Sequence, residues 1–325
     1  MHHNICQQRT NWNSLLLNSV NMITLTAVTM AGLAEESGPH GLALKVSSTL
    51  LFAAGTGILL IMSKIQPSQL VEEQRNAVRL LKQLKASIET RISIRTVTQN
   101  DVDEAMEKVL ALDKAYPLPL LGAMLEKYPE SLRPAVWWPR KKQTTSSSPA
   151  VRCGSKEGDR NNGWSKELEN EMNEIIGVTK RKDAEDFVGL GNKALGLSKV
   201  LGISGPVLSG VAAVGAAFVG YGGPWGGLLA AMAGSMAAVV NTIEHGGQVG
   251  MVFEMYRNCA GFFKLLEETV ESTLEEEDLG KRENGEIFEM KMALHLGRSL
   301  SELRDLADKS RTNGGSVDEF ASKLI

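Results

Sequence analysis

Residues 200–243 read VLGISGPVLSGVAAVGAAFVGYGGPWGGLLAAMAGSMAAVVNTI, and this stretch decides the fold. It contains no Asp, Glu, Lys or Arg, and the run GGPWGG at 222–227 interrupts it near its middle. Clustered Gly and Pro favour a turn. Each flanking arm approaches the roughly 20 residues with which a helix crosses about 30 Å of hydrocarbon. The stretch therefore predicts a helical hairpin without charged residues.

Small residues recur at intervals of four along both arms of this hairpin. Such spacing lets two helices approach closely without a side-chain barrier, which is how membrane helices pack. The turn adds a Trp, a residue that suits the interface between membrane and water. The candidate membrane hairpin therefore consists of Ala212, Ala216, Gly220, Pro224, Trp225, Ala230 and Gly234.

Two further uncharged arms, residues 14–34 and 46–63, lie near the N-terminus, with EESGPH at 35–40 between them. They predict a second hairpin of similar length. A helix that is hydrophobic all round can also form the core of a soluble bundle, and the mean hydropathy of the chain is −0.10. Insertion into a membrane, docking onto it and burial in a soluble core are therefore all open.

Amphipathic helices with apolar residues at spacings of three and four flank both hairpins. Asn100 and Ser165 are predicted N-caps, the last long helix is predicted over residues 286–309, and Ser316 with Glu319 forms a predicted capping box. The predicted buried residues are Ala77, Leu81, Leu84 and Ile88; Val102, Met106, Val109 and Leu112; Leu168, Met172, Ile175 and Ile176; and Ile287, Met290, Leu294, Leu300 and Leu303. The predicted fold class is all-α: a helical bundle with two uncharged helical hairpins flanked by long amphipathic helices.

A polar, Ser- and Gly-rich linker at residues 140–164 is the predicted internal boundary. Residues 1–139 hold one hairpin, amphipathic helices and a loop rich in Pro, and residues 165–325 hold a long helix, the other hairpin and the C-terminal helices. The two halves are expected to pack as one bundle. In the loop, Trp137 and Trp138 form a candidate interaction patch for a partner or a membrane interface, with a hydrophobic plug over the bundle end as the alternative.

Composition and motifs argue against several classes of protein. The formal net charge of −3 disfavours nucleic acid as a partner, and three cysteines without a CxxC pair give neither a zinc site nor a disulfide framework. No phosphate-binding, hydrolase or metalloprotease motif is present. We therefore predict no catalytic residue, no cofactor, no bound metal and no enzymatic activity. Glu244 and His245 are interpreted as a polar helix exit, with a metal site or proton switch that includes Glu254 as the alternative.

Several stretches of the sequence resemble a plant family catalogued as "probable F-box protein". They are QRTNWNSLLLNSVNMITL from residue 8, KIQPSQLVEEQRNA from residue 64, VLALDKAYPLPLLGAMLEKYPE from residue 109, PAVWWP from residue 134, EHGGQVGMVFEMYRNCAGFFKLLEE from residue 244, GRSLSELRDLA from residue 297 and DEFASKL from residue 318. The resemblance extends over nearly the whole chain.

The family name implies a substrate-receptor subunit of a ubiquitin ligase that binds a Skp1-type adaptor. The residues that match the opening of an F-box, and that the resemblance therefore makes the adaptor-binding residues, are Leu118, Pro119, Leu120, Leu121 and Leu125. Members of the family usually carry a longer N-terminal region that resembles a plastid transit peptide. The resemblance thus implies a truncated N-terminus here and a plastid location.

Together these observations predict a non-enzymatic, membrane-associated helical protein of the chloroplast. It would act through hairpin insertion or docking and through helical-bundle packing. The expected partners are membrane lipid, another helical protein or a second copy of the chain. The alternative is an F-box-like receptor with a Skp1-type adaptor as its partner, located in the cytoplasm or nucleus.

Overall fold

The computed structural model describes residues 1–36, 41–94, 96–117, 128–139, 161–221, 224–315 and 317–323. Within these ranges the chain forms ten α-helices and two π-helical segments, and no β-strand, so the predicted all-α fold is confirmed. The α-helices are α1 (His2–Glu36), α2 (Gly41–Ile65), α3 (Pro67–Ile94), α4 (Gln99–Ala115), α5 (Lys166–Val178), α6 (Glu185–Ala217), α7 (Trp225–Asn241), α8 (Val249–Leu274), α9 (Gly285–Leu296) and α10 (Leu300–Thr312). The π-helical segments are Thr179–Ala184 and Thr242–Gly246.

The helices divide into two compact units, and each unit takes residues from both halves of the chain. Unit 1 comprises Met1–Leu132 and Gly191–Met255, and unit 2 comprises Arg133–Leu190 and Tyr256–Ile325. All four predicted apolar arms therefore belong to unit 1, where they form α1, α2, α7 and most of α6. Of the predicted linker, residues 140–160 lie outside the described ranges.

The core of unit 1 is built from small residues and a few large ones. Phe52 is 1% exposed and packs among alanines of α1, α6 and α7, and Leu59 and Met62 of α2 pack against Val20 of α1 with no exposure. Since alanine side chains are short, helices that meet through them lie close together. The alanines of this core are Ala27, Ala31, Ala212, Ala216, Ala230 and Ala233.

The core of unit 2 follows the predicted amphipathic pattern of α5. Ser165 caps this helix by accepting a hydrogen bond from the Leu168 backbone N–H at 3.1 Å, and all four predicted residues of its inward face are at most 7% exposed. The rings of Phe187 and Phe263 pack at an interplanar angle of 47°, with their centroids 5.4 Å apart. Both the predicted N-cap and the predicted inward face of α5 are therefore confirmed.

The predicted last helix is wrong in its length and in its inward face. Gly297, with φ of 65°, ends α9, and Ser299 caps a separate helix α10 through a capping box with Glu302. Within α9 the buried apolar residues are Phe288, Met292, Ala293 and Leu296, a second stripe with helical spacing, instead of the predicted residues. The predicted inward residues Ile287, Met290 and Leu294 are 51%, 60% and 75% exposed, whereas Leu303 of α10 is buried as predicted.

The prediction for α4 also needs correction. Thr98, not Asn100, is the N-cap, and its side chain forms a capping box with Asp101. Only Leu112 of the predicted stripe is buried, because α4 packs on α3 through its neighbouring face, which carries Glu104. The rest of the stripe, Val102, Met106 and Val109, is 44%, 54% and 39% exposed.

The C-terminal segment is fixed to unit 2 by two buried charged side chains. The Asp183 carboxylate, which has no exposed surface, accepts hydrogen bonds from the backbone N–H groups of Ala321 at 2.7 Å and Ser322 at 2.9 Å. The Arg298 guanidinium donates to the backbone oxygens of Phe320 and Ala321, each at 2.6 Å. Ser316, half of the predicted capping box, lies outside the described ranges.

Candidate membrane surface and buried polar cluster

The helices α6 and α7 approach each other through glycine. A Cβ atom on Gly215 would lie 2.8 Å from the Ala230 backbone nitrogen, and one on Gly226 would lie 2.7 Å from the Phe218 carbonyl carbon. Gly234 similarly makes room for the Phe52 ring and for Val28, since its Cβ would come within 2.8 Å of both. Contacts of this kind are typical of helices that associate in membranes.

The outer faces of α1, α2, α6 and α7 carry many large apolar residues. Each of these side chains is between 45% and 68% exposed, and the segments that carry them contain few or no charged residues. A soluble bundle shows the reverse arrangement, with large apolar residues inside and polar residues outside. We call this set the apolar belt; it consists of Leu15, Met22, Leu25, Leu33, Leu42, Val46, Leu50, Leu60, Ile61, Val200, Ile203, Val207, Val214, Leu228, Leu229, Met232, Met236 and Val239.

Both hairpin turns lie at the same end of unit 1. The Lys45 ammonium, at the start of α2, lies 3.8 Å from the centroid of the Tyr221 ring in the turn between α6 and α7. The Glu35 carboxylate, at the end of α1, occupies the space that a Gly227 side chain would fill, next to the positive end of the α7 dipole. The two hairpins therefore point the same way.

Aromatic residues mark both ends of the apolar belt. Tyr221 and Trp225 are 73% and 74% exposed at the turn end, and Trp12 of α1 is 61% exposed near the other end. The rise of an α-helix places Trp12 about 35 Å from Glu35 along α1. This separation matches the hydrocarbon thickness plus part of the interfacial layers, where Trp and Tyr are enriched.

The residues predicted for the membrane hairpin serve two structural purposes. Three of them, Ala212, Ala216 and Ala230, have no exposed surface, and Gly234 contacts α1 and α2 as described above. The others form the turn: Gly220 adopts a positive φ of 80° just after α6, Pro224 directly precedes α7 and Trp225 begins it. The structure thus brings the small residues to the inner face and leaves Trp225 on the surface.

Trp137 and Trp138 are both half-buried against α8 in unit 2. The indole N–H of Trp138 donates to the Glu268 carboxylate at 2.6 Å, and the two rings meet edge to face with centroids 5.2 Å apart. Gly261 of α8 leaves room for Trp137, since a Cβ there would lie 2.7 Å from its ring. The predicted F-box residues Leu118, Pro119, Leu120, Leu121 and Leu125 lie outside the described ranges.

A buried polar cluster lies at the end of unit 1 opposite the hairpin turns. Gln66 connects α2 to α3 with a positive φ of 51°, which is unusual for a residue with a side chain, and is 1% exposed. Its amide N–H donates to the Ser63 backbone oxygen at 3.1 Å and to Glu244 Oε1 at 3.3 Å, and also contacts the Tyr128 hydroxyl. Gly202 of α6 admits Glu244, because a Cβ there would lie 3.0 Å from Oε1.

Glu244 and His245 lie on the π-helical segment that follows α7, and each is 1% exposed. His245 Nε2 lies 3.6 Å from Glu244 Oε2. Among the residues that the structure describes, neither this Oε2 atom nor either ring nitrogen of His245 has a hydrogen-bond partner. Burial and the nearby Glu244 carboxyl raise the pKa of Tyr128 from its ordinary value of 10 to about 12. π-Helical segments, positive φ values and unsatisfied buried groups each recur at functional sites.

The predicted polar helix exit is therefore a fully buried cluster. Glu254, the third residue of the alternative interpretation, is also buried, but the described ranges contain no group of three or more His, Cys, Asp or Glu side chains placed to hold a metal ion. Sequence reasoning missed Gln66 and Tyr128. The adjacent Pro67 was the available signal for Gln66, because a residue before proline is restricted in conformation and often ends a helix.

The fold and the apolar belt define a class of helical protein with segments suited to a membrane. Within the described ranges four helical stretches, His2–Glu35, Gly41–Ile94, Lys166–Ala217 and Trp225–Leu274, contain a segment long and apolar enough to cross a bilayer. The chain belongs to the plant-specific family Chloroplast_duf, described as petal formation-expressed, whose model matches residues 1–304.

The family's name suggests the chloroplast. It gives no support for an F-box, so the F-box label of the family that the sequence resembles is replaced by membership of Chloroplast_duf. No curated protein and no solved structure matches the chain.

Proposed function

We propose that this protein is a non-enzymatic component of a chloroplast membrane. Its two apolar hairpins are embedded in the bilayer, and its amphipathic helices and unit 2 remain in the aqueous phase. The apolar belt carries the proposal. Transfer of one large apolar side chain out of water contributes about 1.5–3 kcal/mol, and the belt repeats this gain on α1, α2, α6 and α7.

The inner face supports the same proposal. In lipid the hydrophobic effect does not hold helices together, so close backbone packing and hydrogen bonds between helices must do so. The Gly215–Ala230 approach supplies the first. The second is supplied by Thr56 of α2, which donates to Ser209 Oγ of α6 at 2.9 Å, and by Ser63, which donates to the Gly202 backbone oxygen at 2.7 Å.

Carbonate extraction of chloroplast membranes tests the proposal. We expect the full-length protein to stay in the carbonate-washed pellet, since embedded hairpins are not held by charge. The tryptic sites at Lys82 and Lys85, which are exposed on α3, are expected to be cleaved from one side only, opposite the hairpin turns. Release of the wild-type protein by carbonate would contradict the embedded arrangement.

A matched pair of variants tests the belt itself. The triple variant Leu50→Lys, Val207→Lys and Met232→Lys places charges on the lipid face of α2, α6 and α7, at a cost of about 2.5–3.5 kcal/mol each near mid-membrane. We expect it to be lost from the washed pellet. The control variant Ile287→Lys, Met290→Lys and Leu294→Lys changes equally exposed apolar residues of α9 in unit 2, and is expected to stay in the pellet.

The alternative, a ubiquitin-ligase receptor, has no observation in its favour. It would gain support if a Skp1-type adaptor co-purified with the protein and was lost after Leu118→Asp or Leu121→Asp substitution.

A further inference from the structure

An apolar groove lies between α3 and α4, away from the apolar belt. Its volume is about 350 Å³. Ile92 and Met106 on its walls are 59% and 54% exposed, which is high for apolar residues on two helices that already pack together. The large apolar residues that α3 and α4 contribute to the groove are Leu84, Ile88, Ile92, Val102, Met106 and Val109.

Arg91 joins α3 to α4 beside this groove. Its guanidinium forms two hydrogen bonds with the Glu104 carboxylate of α4, at 2.6 and 3.1 Å, and Lys108, also on α4, contacts the same carboxylate at 2.5 Å. The Arg91–Glu104 pair connects the two helices, while apolar residues of the groove stay exposed. The groove therefore presents one open apolar stripe from each helix.

The two helices carry opposite charge. From Arg79 to the end of α3, four cations, Arg79, Lys82, Lys85 and Arg91, stand against Glu89 alone. Along α4, five carboxylates, Asp101, Asp103, Glu104, Glu107 and Asp113, stand against Lys108 and Lys114. A partner with charge of a single sign would attract one of these helices and repel the other. A second copy of the α3–α4 pair carries both signs and can match both helices.

We propose that a second copy of this chain occupies the groove and forms a two-fold symmetric dimer. A two-fold axis parallel to the helices places α3 of one copy over α4 of the other and brings the two apolar stripes together. Neighbouring helices are then antiparallel, as in a four-helix bundle. The cations of α3 in one copy then face the carboxylates of α4 in the other copy, and this pairing occurs once on each side of the dimer.

The register follows from the ion pair within each copy. Because α3 and α4 are antiparallel and Arg91 meets Glu104, the step from Arg91 back to Lys82 equals the step from Glu104 on to Asp113. Lys82 and Lys85 thus lie level with the segment of the other copy that carries Glu107 and Asp113. All four of these side chains belong to exposed residues, so they can be exchanged without disturbing the core.

The oligomeric state of the full-length protein in detergent tests the proposal, with light scattering or sedimentation as the readout. We expect a dimer for the wild type and a monomer for the double variant Val102→Glu, Met106→Glu. The charge-reversal variants Lys82→Glu, Lys85→Glu and Glu107→Lys, Asp113→Lys are each expected to raise the dimer Kd at least about tenfold, because like charges then face each other on both sides of the interface.

Mixing the two charge-reversal variants is the sharpest arm of the experiment. In the mixed dimer one face brings the reversed acidic α3 against the reversed basic α4, and the other face keeps the unchanged pairing of basic α3 with acidic α4. Both faces are then complementary, and we expect association to recover relative to either variant alone. The control Lys166→Glu, Lys193→Glu reverses two exposed lysines outside the groove and should leave the dimer intact. A monomeric wild type, a dimer that survives Val102→Glu, Met106→Glu, or a mixture no tighter than its components would overturn the proposal.

Discussion

Gly215 of α6 lies so close to α7 that a Cβ atom on it would stand 2.8 Å from the backbone nitrogen of Ala230. The two arms of the hairpin therefore meet backbone to backbone. A Cβ on Gly210, in the same helix, would meet no atom within 4 Å.

These two glycines predict opposite effects of the same substitution. Alanine in a helix interior is intrinsically favoured over glycine by about 0.8–1.0 kcal/mol, so Gly210→Ala should raise thermal stability in detergent slightly. Gly215→Ala should lower the free energy of unfolding by about 1–3 kcal/mol, since the methyl group forces the two helices apart. Equal effects at the two positions would show that the close approach is absent.

Substitutions at Glu244 should separate shape from hydrogen bonding in the polar cluster. Glu244→Gln keeps an oxygen that can accept from the Gln66 amide, now at 3.3 Å, and is expected to change the melting temperature little. Glu244→Ala leaves that amide with one acceptor fewer in a buried site and should cost about 1–3 kcal/mol. Thermal unfolding of the two variants in the same detergent is the measurement, and a larger loss for glutamine than for alanine would contradict the arrangement.

Asp183 is expected to control the C-terminal segment. Asp183→Ala removes the acceptor of two buried backbone N–H groups, those of Ala321 and Ser322, and should destabilise unit 2 by about 2 kcal/mol or more. Hydrogen exchange at these two amides should rise accordingly. The control Asp186→Ala loses only a surface pair with Lys182 and should cost under about 1 kcal/mol.

Acid should weaken the contact between α3 and α4. The Arg91 guanidinium and the Lys108 ammonium lower the pKa of Glu104 from its ordinary value of 4.5 to about 2. A carboxyl whose pKa is lowered by folding stabilises the folded state above its unfolded pKa, and this contribution is lost as the pH falls from about 4.5 to about 2. Because the pair is partly exposed, we expect less than about 1 kcal/mol.

The replacement Arg91→Gln checks this pH dependence. It should reduce the loss of stability between pH 5 and pH 2 in chemical denaturation, because Glu104 then loses one of the two cationic partners that it has among the described residues. An unchanged acid dependence would show that the ion pair contributes nothing in solution.

The apolar arms could be predicted from the sequence because the absence of charge over a helix length leaves few alternatives, and Gly220 and Pro224 supply a turn. The inward face of α9 could not. Ile287, Met290 and Leu294 have helical spacing, but so do the buried residues Phe288, Met292 and Leu296, and periodicity alone does not choose between two apolar stripes of one helix. The predicted burial of the α4 stripe was wrong for another reason. Val102 and Met106 are periodic and apolar, but periodicity does not say whether another part of the chain covers them.

The polar cluster was the least predictable part. Glu244 and His245 stand directly after an uncharged run, where a solvated helix end is the ordinary expectation. Their burial depends on Gln66 and Tyr128, which are far away in sequence, and on Gly202, whose missing side chain makes the space. Local pattern carries no information about such long-range contacts.

Gln66 also forms a rigid junction between α2 and α3. Its backbone N–H donates to Met62 at the end of α2, and its carbonyl accepts from Leu70 in α3, so that one residue closes one helix and opens the next. Any tilt of α3 must turn the dihedral angles of this residue and disturb its side-chain bonds to Ser63 and Glu244. The direction in which α3 leaves the apolar hairpins is therefore fixed at a single residue, and this residue is at the same time part of the polar cluster.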